Sequence, residues 1–367
     1  MAAAIAELEH HPHAQAVLEG ALAADAASHA YLLHGPAGTG KRAAAREFAA
    51  RLLAAGEDDA GGVAGRARRD AHPDLTWVRP SGAAALVVAD IDDPVVAAAT
   101  RTPFEASRRI FVIEGADLMN DEAANRLLKT LEEPAPYVHI ILIADRPDDL
   151  PATIRSRCQP VRFDPLSAQA LAAGLDAEGH DATSAARLAL GDGGLARLLV
   201  SEPGRQLRAA AGVIVAAALE PTPALRPAQP LLDLAAAAGE ANAGKIQSLL
   251  DEQLPLVPRR EQAKMRRELE EAAKRGQRRD RTALLQSGLR LVELAFRDML
   301  CIREGAGEVV YAVDLVPVLA EQAERVGVDR LAEAIELVDE TRASLRVNVG
   351  EELALEALVV RLREALA

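Results

Sequence analysis

Apolar runs and helical periodicity organise the middle of the chain. Residues 110–113 form an apolar, β-rich run that ends in the acidic Glu114. Apolar residues then recur at steps of three and four over residues 124–131, which predicts a helix that Pro134 ends. A second apolar run at residues 139–143 predicts another buried strand. A strand, a helix and a strand at this spacing predict one unit of a parallel α/β sheet.

The same patterns predict further elements around this unit. Strands are predicted at residues 30–34, 74–78, 86–91 and 159–163, and helices at residues 1–29, 43–53 and 93–99. Residues 56–74 are glycine-rich, charged and aperiodic, which predicts a loop, and Ser81-Gly82 predicts a turn. Strand 110–113 is expected to lie directly beside strand 30–34.

Helical periodicity continues through the second half of the chain. Residues 166–205 predict a small helical unit that a glycine-rich break at residues 191–194 interrupts. From residue 206 onward the predicted helices are long, with a proline-rich interruption at residues 221–230. Periods typical of bundle helices occur at residues 284–300, 313–326, 331–345 and 353–362. The predicted fold class is therefore α/β plus all-α.

Composition supports a large, mostly helical protein. A chain of 367 residues, half of them apolar and many of these alanine, has ample material for two or three domains. The formal net charge is -13, with 55 acidic and 42 basic residues, which argues against the whole surface being a nucleic-acid platform. Residues 259–281 are an exception, because basic residues predominate there. They predict either a solvated or subunit-facing helix or a helix that faces nucleic acid, and the solvated or subunit-facing helix is favoured.

Cysteine usage and the absence of long apolar runs indicate the cellular setting. Cys158 and Cys301 are too few for a disulfide framework or a four-cysteine zinc site, so a reducing, cytoplasmic compartment is expected. The first ten residues lack the pattern of a signal peptide. The most apolar helical run, residues 209–219, is too short to span a bilayer, so no membrane partner is expected.

A glycine-rich turn after the first predicted strand has the build of a phosphate-binding loop. Gly35, Gly38 and Gly40 allow backbone N–H groups to surround a phosphate, and Lys41 adds a positive charge at the start of a helix. The P-loop pattern then requires Ser or Thr, whose hydroxyl ligates Mg²⁺, but the chain has Arg42. A turn that descends from a nucleotide site is favoured over a simple glycine turn, and nucleotide binding itself stays open.

The end of strand 110–113 carries a second departure. Active P-loop ATPases end this strand in Asp-Glu, where the aspartate holds Mg²⁺ and the glutamate orients the attacking water. Here the pair is Glu114-Gly115, which keeps a carboxylate but lacks the group that would position water. Because two catalytic positions are altered, the chain is expected not to hydrolyse ATP at its own site.

Two other clusters admit two interpretations each. Ser156-Arg157-Cys158 presents either a surface arginine at a helix end or an arginine finger aimed at a γ-phosphate on a neighbouring subunit, and spacing alone does not separate them. His10, His11 and His13 form either a metal site or a solvated entry to the first helix, and the solvated entry is favoured. No metal site is predicted.

These residues resemble the clamp-loader family of bacterial DNA polymerase III, most closely its delta-prime branch. The motifs that carry the resemblance are His-Ala-Tyr-Leu at residues 29–32, Glu-Gly-Ala-Asp-Leu-Met at 114–119, Ala-Asn-Arg-Leu-Leu-Lys-Thr-Leu-Glu-Glu-Pro at 124–134 and Ile-Arg-Ser-Arg-Cys at 154–158. Together they cover residues 29–163. Residues 261–274 and 348–358 are similar to the helical collar of the family.

The resemblance implies three domains and implies that this chain contributes to the ATP site of the adjacent subunit. It implies an AAA+ RecA-like P-loop domain at residues 1–165, a small helical lid at 166–205 and a helical collar for oligomerisation at 206–367. It also implies a degenerate nucleotide site, in which Gly35, Gly38, Gly40, Lys41 and Glu114 are remnants. Arg157, with its motif neighbours Ser156 and Cys158, would complete the ATP site of the adjacent subunit.

The resemblance also implies partners and cofactors. The expected partners are a gamma/tau-like ATPase, a delta-like subunit, primer-template DNA within the complex and, indirectly, the sliding clamp. No cofactor is required by this chain itself, since ATP would bind at the neighbouring site. Family members usually carry four zinc-binding cysteines in the segment that corresponds to residues 52–74, and this segment has none, so zinc is not expected. The alternative is a catalytically active gamma/tau-like subunit.

Overall fold

The computed structural model describes residues 8–24, 26–80, 86–175, 179–220, 225–253, 259–345 and 350–367. The first seven residues of the predicted helix 1–29, the predicted Ser81-Gly82 turn, residues 221–224 of the proline-rich stretch and the start of the predicted collar segment 348–358 lie outside these ranges. The chain divides into two compact units, residues 1–170 with 191–194, and residues 171–190 with 195–367. The predicted three-domain division stays a prediction.

The first unit is built on a five-stranded parallel sheet. Its strands are β1 Ala30–His34, β2 Leu75–Val78, β3 Arg109–Glu114, β4 Val138–Ala144 and β5 Gln159–Arg162. Their order across the sheet is β2-β3-β4-β1-β5, and every pair is parallel. The predicted α/β plus all-α fold class, with a parallel-sheet module, is confirmed.

The predicted neighbour of the first strand was wrong. β4 lies between β1 and β3, so strand 110–113 does not pair with strand 30–34. All seven residues of β4 are buried. A strand with apolar side chains on both faces stabilises a sheet most when other strands and helices cover it on all sides, which places β4 in the middle.

Helices cover both faces of the sheet in the first unit. They are α1 Pro12–Ala23, α2 Lys41–Ala54, α3 Ala60–Arg68, α4 Val88–Ile91, α5 Asp121–Glu132, α6 Ala152–Arg155 and, where the two units divide, α7 Ala168–Ala173. Alternation along β3 sends Val112 into the core under α2, and Phe111 and Ile113 into the core under α5. The N-cap Asn120 accepts a hydrogen bond from Ala123 N (2.9 Å), and α5 begins there after a short 3-10 turn at Ala116–Leu118.

Two sequence-based element predictions were wrong. The predicted loop 56–74 contains α3, which begins at the N-cap Asp59 and buries Val63, Ala64 and Ala67. Packing of these side chains outweighs the low helix propensity of the glycines among them. The predicted strand 86–91 is the short helix α4, and the predicted helix 93–99 is helical but starts in a π conformation at residue 92.

A buried carboxylate fixes the entry to β3. Asp74 is fully buried and accepts hydrogen bonds from the backbone N–H groups of Phe104 (2.6 Å), Glu105 (2.9 Å) and Ala106 (3.0 Å). Burial raises the pKa of Asp74, but these three donors more than offset it, so the pKa lies below its usual value. The carboxylate therefore ties the start of β2 to the segment that precedes β3.

Replacing Asp74 with Asn is expected to lower the free energy of unfolding by about 2–4 kcal/mol, because a neutral amide cannot accept all three N–H groups. The folded-state pKa is depressed, so the stabilisation is full at neutral pH and is lost as the pH falls below about 4. Denaturant unfolding at pH 7 and at a pH of about 3 measures both effects. The exposed Asp58→Asn variant is the control, and equal loss in both variants would contradict the assignment.

The second unit is a helical assembly around one core. Its helices are α8 Gly179–Leu188, α9 Gly193–Val200, α10 Glu202–Leu219, α11 Gln229–Gln253, α12 Arg259–Arg303, α13 Val316–Ala323, α14 Val328–Ser344 and α15 Glu351–Leu366. Leu188 and Leu199 share this core with Leu207, Leu289 and Leu358. The predicted helix 284–300 is part of the 45-residue α12. No helix in the described part of the chain combines the length and the apolar content that crossing a membrane requires.

Candidate functional site

The glycine-rich loop between β1 and α2 has the backbone shape that the sequence predicts. Gly35, Gly38 and Gly40 have φ angles of 138°, 73° and 89°. A Cβ at Gly35 would lie 2.0 Å from the carbonyl oxygen of Phe163, so only glycine fits there. Because β1 is parallel to its neighbours, the loop lies at the carboxyl edge of the sheet, where α/β folds bind phosphate ligands.

The side chain of the loop lysine, Lys41, is buried against residues of its own chain. Lys41 is 4% exposed, and its Nζ donates to the carbonyl oxygens of Gly35 and Pro36, both at 2.5 Å. It also forms an ion pair with Asp145 Oδ1 (2.9 Å). An ammonium group has three donors, and these three contacts account for them. The ammonium group of Lys41 therefore contacts the loop and a carboxylate instead of being available to a bound phosphate.

Asp145 was missed by the sequence analysis. It directly follows β4, and the N–H groups of Asp145 and Arg146 donate to the Asp117 carboxylate, both at 3.2 Å. Burial of Asp117 raises its pKa. The available signal was an acidic residue directly after a buried strand. Only the order of the strands shows that β4 borders β1, whose following loop leads to Lys41 at the start of α2.

A second carboxylate closes the loop from the other side. A Cβ at Gly38 would lie 1.8 Å from Asp192 Cγ, so the Asp192 side chain packs directly on this glycine. The N–H of Gly193 donates to the carbonyl oxygen of Gly38 (3.1 Å). The predicted glycine-rich break at residues 191–194 thus contacts the phosphate loop, and like charge there disfavours a bound phosphate.

Arg42 and Glu114, the two altered positions of the motif, form an ion pair with each other. Glu114 is 7% exposed, and its Oε2 also accepts from Trp77 Nε1 (2.9 Å) and Arg79 Nε (3.2 Å). A guanidinium therefore lies on the carboxylate that would hold Mg²⁺ through water in an active site. These residues do not fit a bound Mg²⁺. The Glu114 carboxylate is already neutralised by Arg42, and Arg42 stands at the position where a Ser or Thr hydroxyl would ligate the metal.

Gly115 has a structural reason for being glycine. Its φ is 69°, in the left-handed region, and a Cβ would lie 3.2 Å from Pro80 Cγ and 3.3 Å from Leu118 Cδ1. A glutamate at this position would be strained, so the backbone itself disfavours the residue that would orient water. The loss of this group and the Arg42–Glu114 pair are therefore two separate obstacles to hydrolysis.

The histidine cluster at the chain start is only partly solvated. His10 and His13 are exposed, but His11 is 3% exposed and its ring packs on Phe163 at 4.8 Å between centroids. Burial lowers the pKa of His11. The interpretation of the whole cluster as a solvated helix entry was therefore wrong for His11. Within the described ranges, no three or more His, Cys, Asp or Glu side chains are grouped so as to hold a metal ion.

The Ser156-Arg157-Cys158 motif follows α6 and precedes β5. Arg157 is exposed, with its guanidinium on Glu132 Oε1 (2.6 Å) and on the carbonyl oxygen of Thr153 (2.8 Å). Cys158 is buried, and burial raises the pKa of its thiol to about 12, so it anchors the motif and carries no reactive thiolate. Ser156 is exposed and donates to the Thr153 carbonyl oxygen (3.2 Å).

Arg157 and the phosphate loop lie at opposite edges of the sheet. Gln159, the first residue of β5, pairs with Tyr31 of β1 in parallel register. Arg157 precedes this pair, at the amino edge, whereas Gly35 follows the last residue of β1, at the carboxyl edge. The four residue-to-residue steps from Tyr31 to Gly35 alone extend about 13 Å along the strand. The structure brings Lys41, Arg42 and Glu114 together but not Arg157.

Comparison with known proteins matches this first unit. A family model described as "DNA polymerase III, delta subunit" matches residues 10–167. DNA polymerase III subunit delta' of Pseudomonas aeruginosa is 39% identical over 137 residues, which are 36% of this chain and 42% of that protein. DNA polymerase III subunit delta' of Bacillus subtilis is 35% identical over 167 residues, 44% of this chain and 50% of that protein.

A tau subunit is also similar to this chain. DNA polymerase III subunit tau of Bacillus subtilis is 33% identical over 165 residues, 43% of this chain and 29% of that protein. The chain thus spans half or less of the length of each of these relatives. The residues that the family model matches include the sheet, the phosphate loop and the Ser156-Arg157-Cys158 motif.

Proposed function

We propose that this chain, which over residues 10–167 is of the delta-prime type of DNA polymerase III clamp-loader subunit, acts in its complex without hydrolysing ATP. It would instead supply Arg157 to the ATP site of a neighbouring ATPase subunit while the complex loads a sliding clamp on primed DNA. The observation that carries the non-catalytic part is the Arg42–Glu114 ion pair at the metal position.

The finger role rests on the position of Arg157. An arginine at the amino edge of the sheet cannot serve the phosphate loop at the carboxyl edge of the same sheet. In a head-to-tail ring, one edge of each subunit meets the opposite edge of the next, so Arg157 can face a neighbour's phosphate loop. Glu132 and Thr153 hold the guanidinium at this surface without burying it, which leaves its planar charge available.

The partners follow from the same proposal. The chain would assemble with a gamma/tau-like ATPase and a delta-like subunit, contact primer-template DNA within the complex, and act on the sliding clamp indirectly. It requires no cofactor of its own, because ATP is bound by the neighbour. Zinc is not part of the proposal, since residues 52–74 contain no cysteine.

The alternative is an active gamma/tau-like ATPase, which the 33% identity to a tau subunit favours. The two candidate functions differ in what they require at the two altered positions, Arg42 and Gly115. An active site would have to release Glu114 from Arg42 and find another group to orient water. The finger proposal needs neither change.

ATP hydrolysis by the isolated chain separates the two functions. We expect the wild type to hydrolyse Mg-ATP no faster than its Lys41→Ala variant, because the metal position is occupied by the Arg42–Glu114 pair. Steady-state phosphate release, measured on both proteins purified in parallel, checks this. Hydrolysis that depends on Lys41 would sink the non-catalytic assignment and favour the ATPase.

A further inference from the structure

The amino-terminal half of α12 is strongly basic although the chain is acidic. Residues 259–281 contain ten basic and five acidic residues, a net charge of +5, whereas the whole chain has a net charge of -13. In the described part of this segment, six cations are exposed, namely Arg266, Arg267, Lys274, Arg275, Arg278 and Arg279, against two exposed carboxylates, Glu270 and Glu271. The rest of the chain offers no comparable run of basic residues.

Three of these cations form one line along the helix. Arg267, Lys274 and Arg278 are seven and four residues apart, so at 100° per residue they lie within about 40° of arc. We name these three residues the basic stripe. Gly276 is buried on the opposite side of the helix, and the adjacent Gln277 contacts Gly239 of α11. The basic stripe therefore points away from α11 into solvent.

The described carboxylates near the basic stripe form no ion pair with it. Glu271, which lies close to the stripe, is engaged by Arg275 (3.5 Å), and Arg279 contacts Asp280 (3.2 Å). Among the described side chains, none forms an ion pair with Arg267, Lys274 or Arg278. A helix whose charges only kept it solvated would pair them at i and i+4, as Glu271 and Arg275 do.

We propose that the basic stripe binds the phosphate backbone of double-stranded DNA, without sequence specificity. Arg267 to Arg278 extends about 16 Å along the helix. A duplex of that length carries about ten phosphate charges, so three aligned cations can contact phosphates on it and release counterions. Residues 259–281 contain no Phe, Tyr or Trp, and therefore lack the stacking platforms that single-stranded DNA requires.

This site is distinct from the phosphate loop and from Arg157. It belongs to the second unit of the chain, and its chemistry needs neither nucleotide nor a neighbouring ATPase. The finger function could fail in an ATPase assay while the basic stripe still bound DNA, and the reverse is equally possible. The two proposals are therefore tested by separate measurements.

The test is duplex binding by the full-length chain, followed by fluorescence anisotropy at several salt concentrations. The triple variant Arg267→Gln, Lys274→Gln, Arg278→Gln keeps good helix formers at all three positions. We expect it to bind a labelled random-sequence duplex at least about tenfold more weakly at low salt, and to reduce the slope of log K against log salt by about three.

A charge-matched control tests whether net charge alone explains the loss. Arg205→Gln, Arg303→Gln, Arg325→Gln removes three exposed arginines elsewhere in the second unit and should leave duplex affinity within about twofold of the wild type. Circular dichroism of both variants verifies that the helices are retained. Equal loss in both triple variants would overturn the proposal.

Three further outcomes would also overturn it. One is a wild type that does not bind duplex DNA even at low salt, and another is a wild type that prefers single-stranded DNA. The basic-stripe variant could also retain duplex affinity while losing its complex with the other clamp-loader subunits, which would make the stripe a protein-docking face. Weakened duplex binding by the basic-stripe variant, with the control unchanged, supports the proposal.

Discussion

Replacing Arg157 with Ala lowers the rate of ATP hydrolysis at the neighbouring subunit's site by about 10³- to 10⁵-fold, if the guanidinium acts there as a finger. The physical reason is that a fixed positive charge stabilises negative charge that develops on the transferred phosphoryl group. Arg157 suits this role because Glu132 and Thr153 orient it at an exposed edge of the sheet. DNA-stimulated single-turnover hydrolysis by the reconstituted loader measures the effect.

Hydrolysis at the one site that faces this chain must be isolated, because other sites would mask its loss. The other ATPase sites of the loader are therefore inactivated before the variants are compared. Lys41→Ala in this chain should leave the rate unchanged, since its own loop is not expected to bind the reacting nucleotide. Arg155→Ala is the matched control, because Arg155 lies in the same segment and pairs with Asp148 (2.7 Å).

The Arg157→Lys variant separates charge from shape. Lysine keeps the positive charge but lacks the planar fork, so we expect it to recover only a small part of the rate. Size-exclusion chromatography of each complex must show that assembly is intact. If an assembled complex that carries Arg157→Ala hydrolyses ATP at the wild-type rate, the finger proposal is wrong. This holds whatever rate the Lys41→Ala complex shows.

Removing the charges that occupy the phosphate loop is expected to create nucleotide binding. The triple variant Arg42→Thr, Asp145→Asn, Asp192→Asn removes the ion pair of Arg42 with Glu114, the ion pair of Asp145 with Lys41, and the carboxylate that packs on Gly38. Like charges opposed across a binding site cost several kcal/mol, so we expect Mg-ATP affinity to rise by about a hundredfold. Isothermal titration calorimetry with and without Mg²⁺ measures this gain.

The gain must depend on the loop itself. Adding Lys41→Ala to the triple variant should remove it, because the ammonium would then be missing from the phosphate. Hydrolysis should stay absent in the triple variant, since Gly115 supplies no group to orient water. A folded triple variant that binds Mg-ATP no better than the wild type would show that the charges of Arg42, Asp145 and Asp192 are not what prevents nucleotide binding at the loop.

Local elements with strong periodicity were predicted well from the sequence. The unit β3-α5-β4 was predicted because its apolar residues repeat with the period of each element, and because Pro134 follows the helix. The phosphate loop was predicted because its glycines precede a lysine at a helix start. Residues 60–68 were missed as a helix, because glycines lower the local propensity and the stabilising contacts of Val63 and Ala67 come from tertiary packing.

The candidate site was also predicted only in part from the sequence. Residue types alone identified Arg42 and Gly115 as departures from an active ATPase, and identified Arg157 as either a finger or a surface arginine. They did not reveal that Arg42 and Glu114 pair, because the order of strands and the approach of α2 to β3 are not encoded in any short segment. The closing carboxylates Asp145 and Asp192 were missed for the same reason.

The sequence by itself determined which residues are helical or extended over most of the sheet unit, and which chemical groups its motifs contain, because both depend on neighbouring positions in the chain. Only the tertiary structure decided that β4 separates β1 from β3, that two distant carboxylates meet the phosphate loop, and that Arg157 lies at the edge opposite to it. These facts depend on contacts between segments far apart in sequence, whose energies emerge only when the strands pack into one sheet.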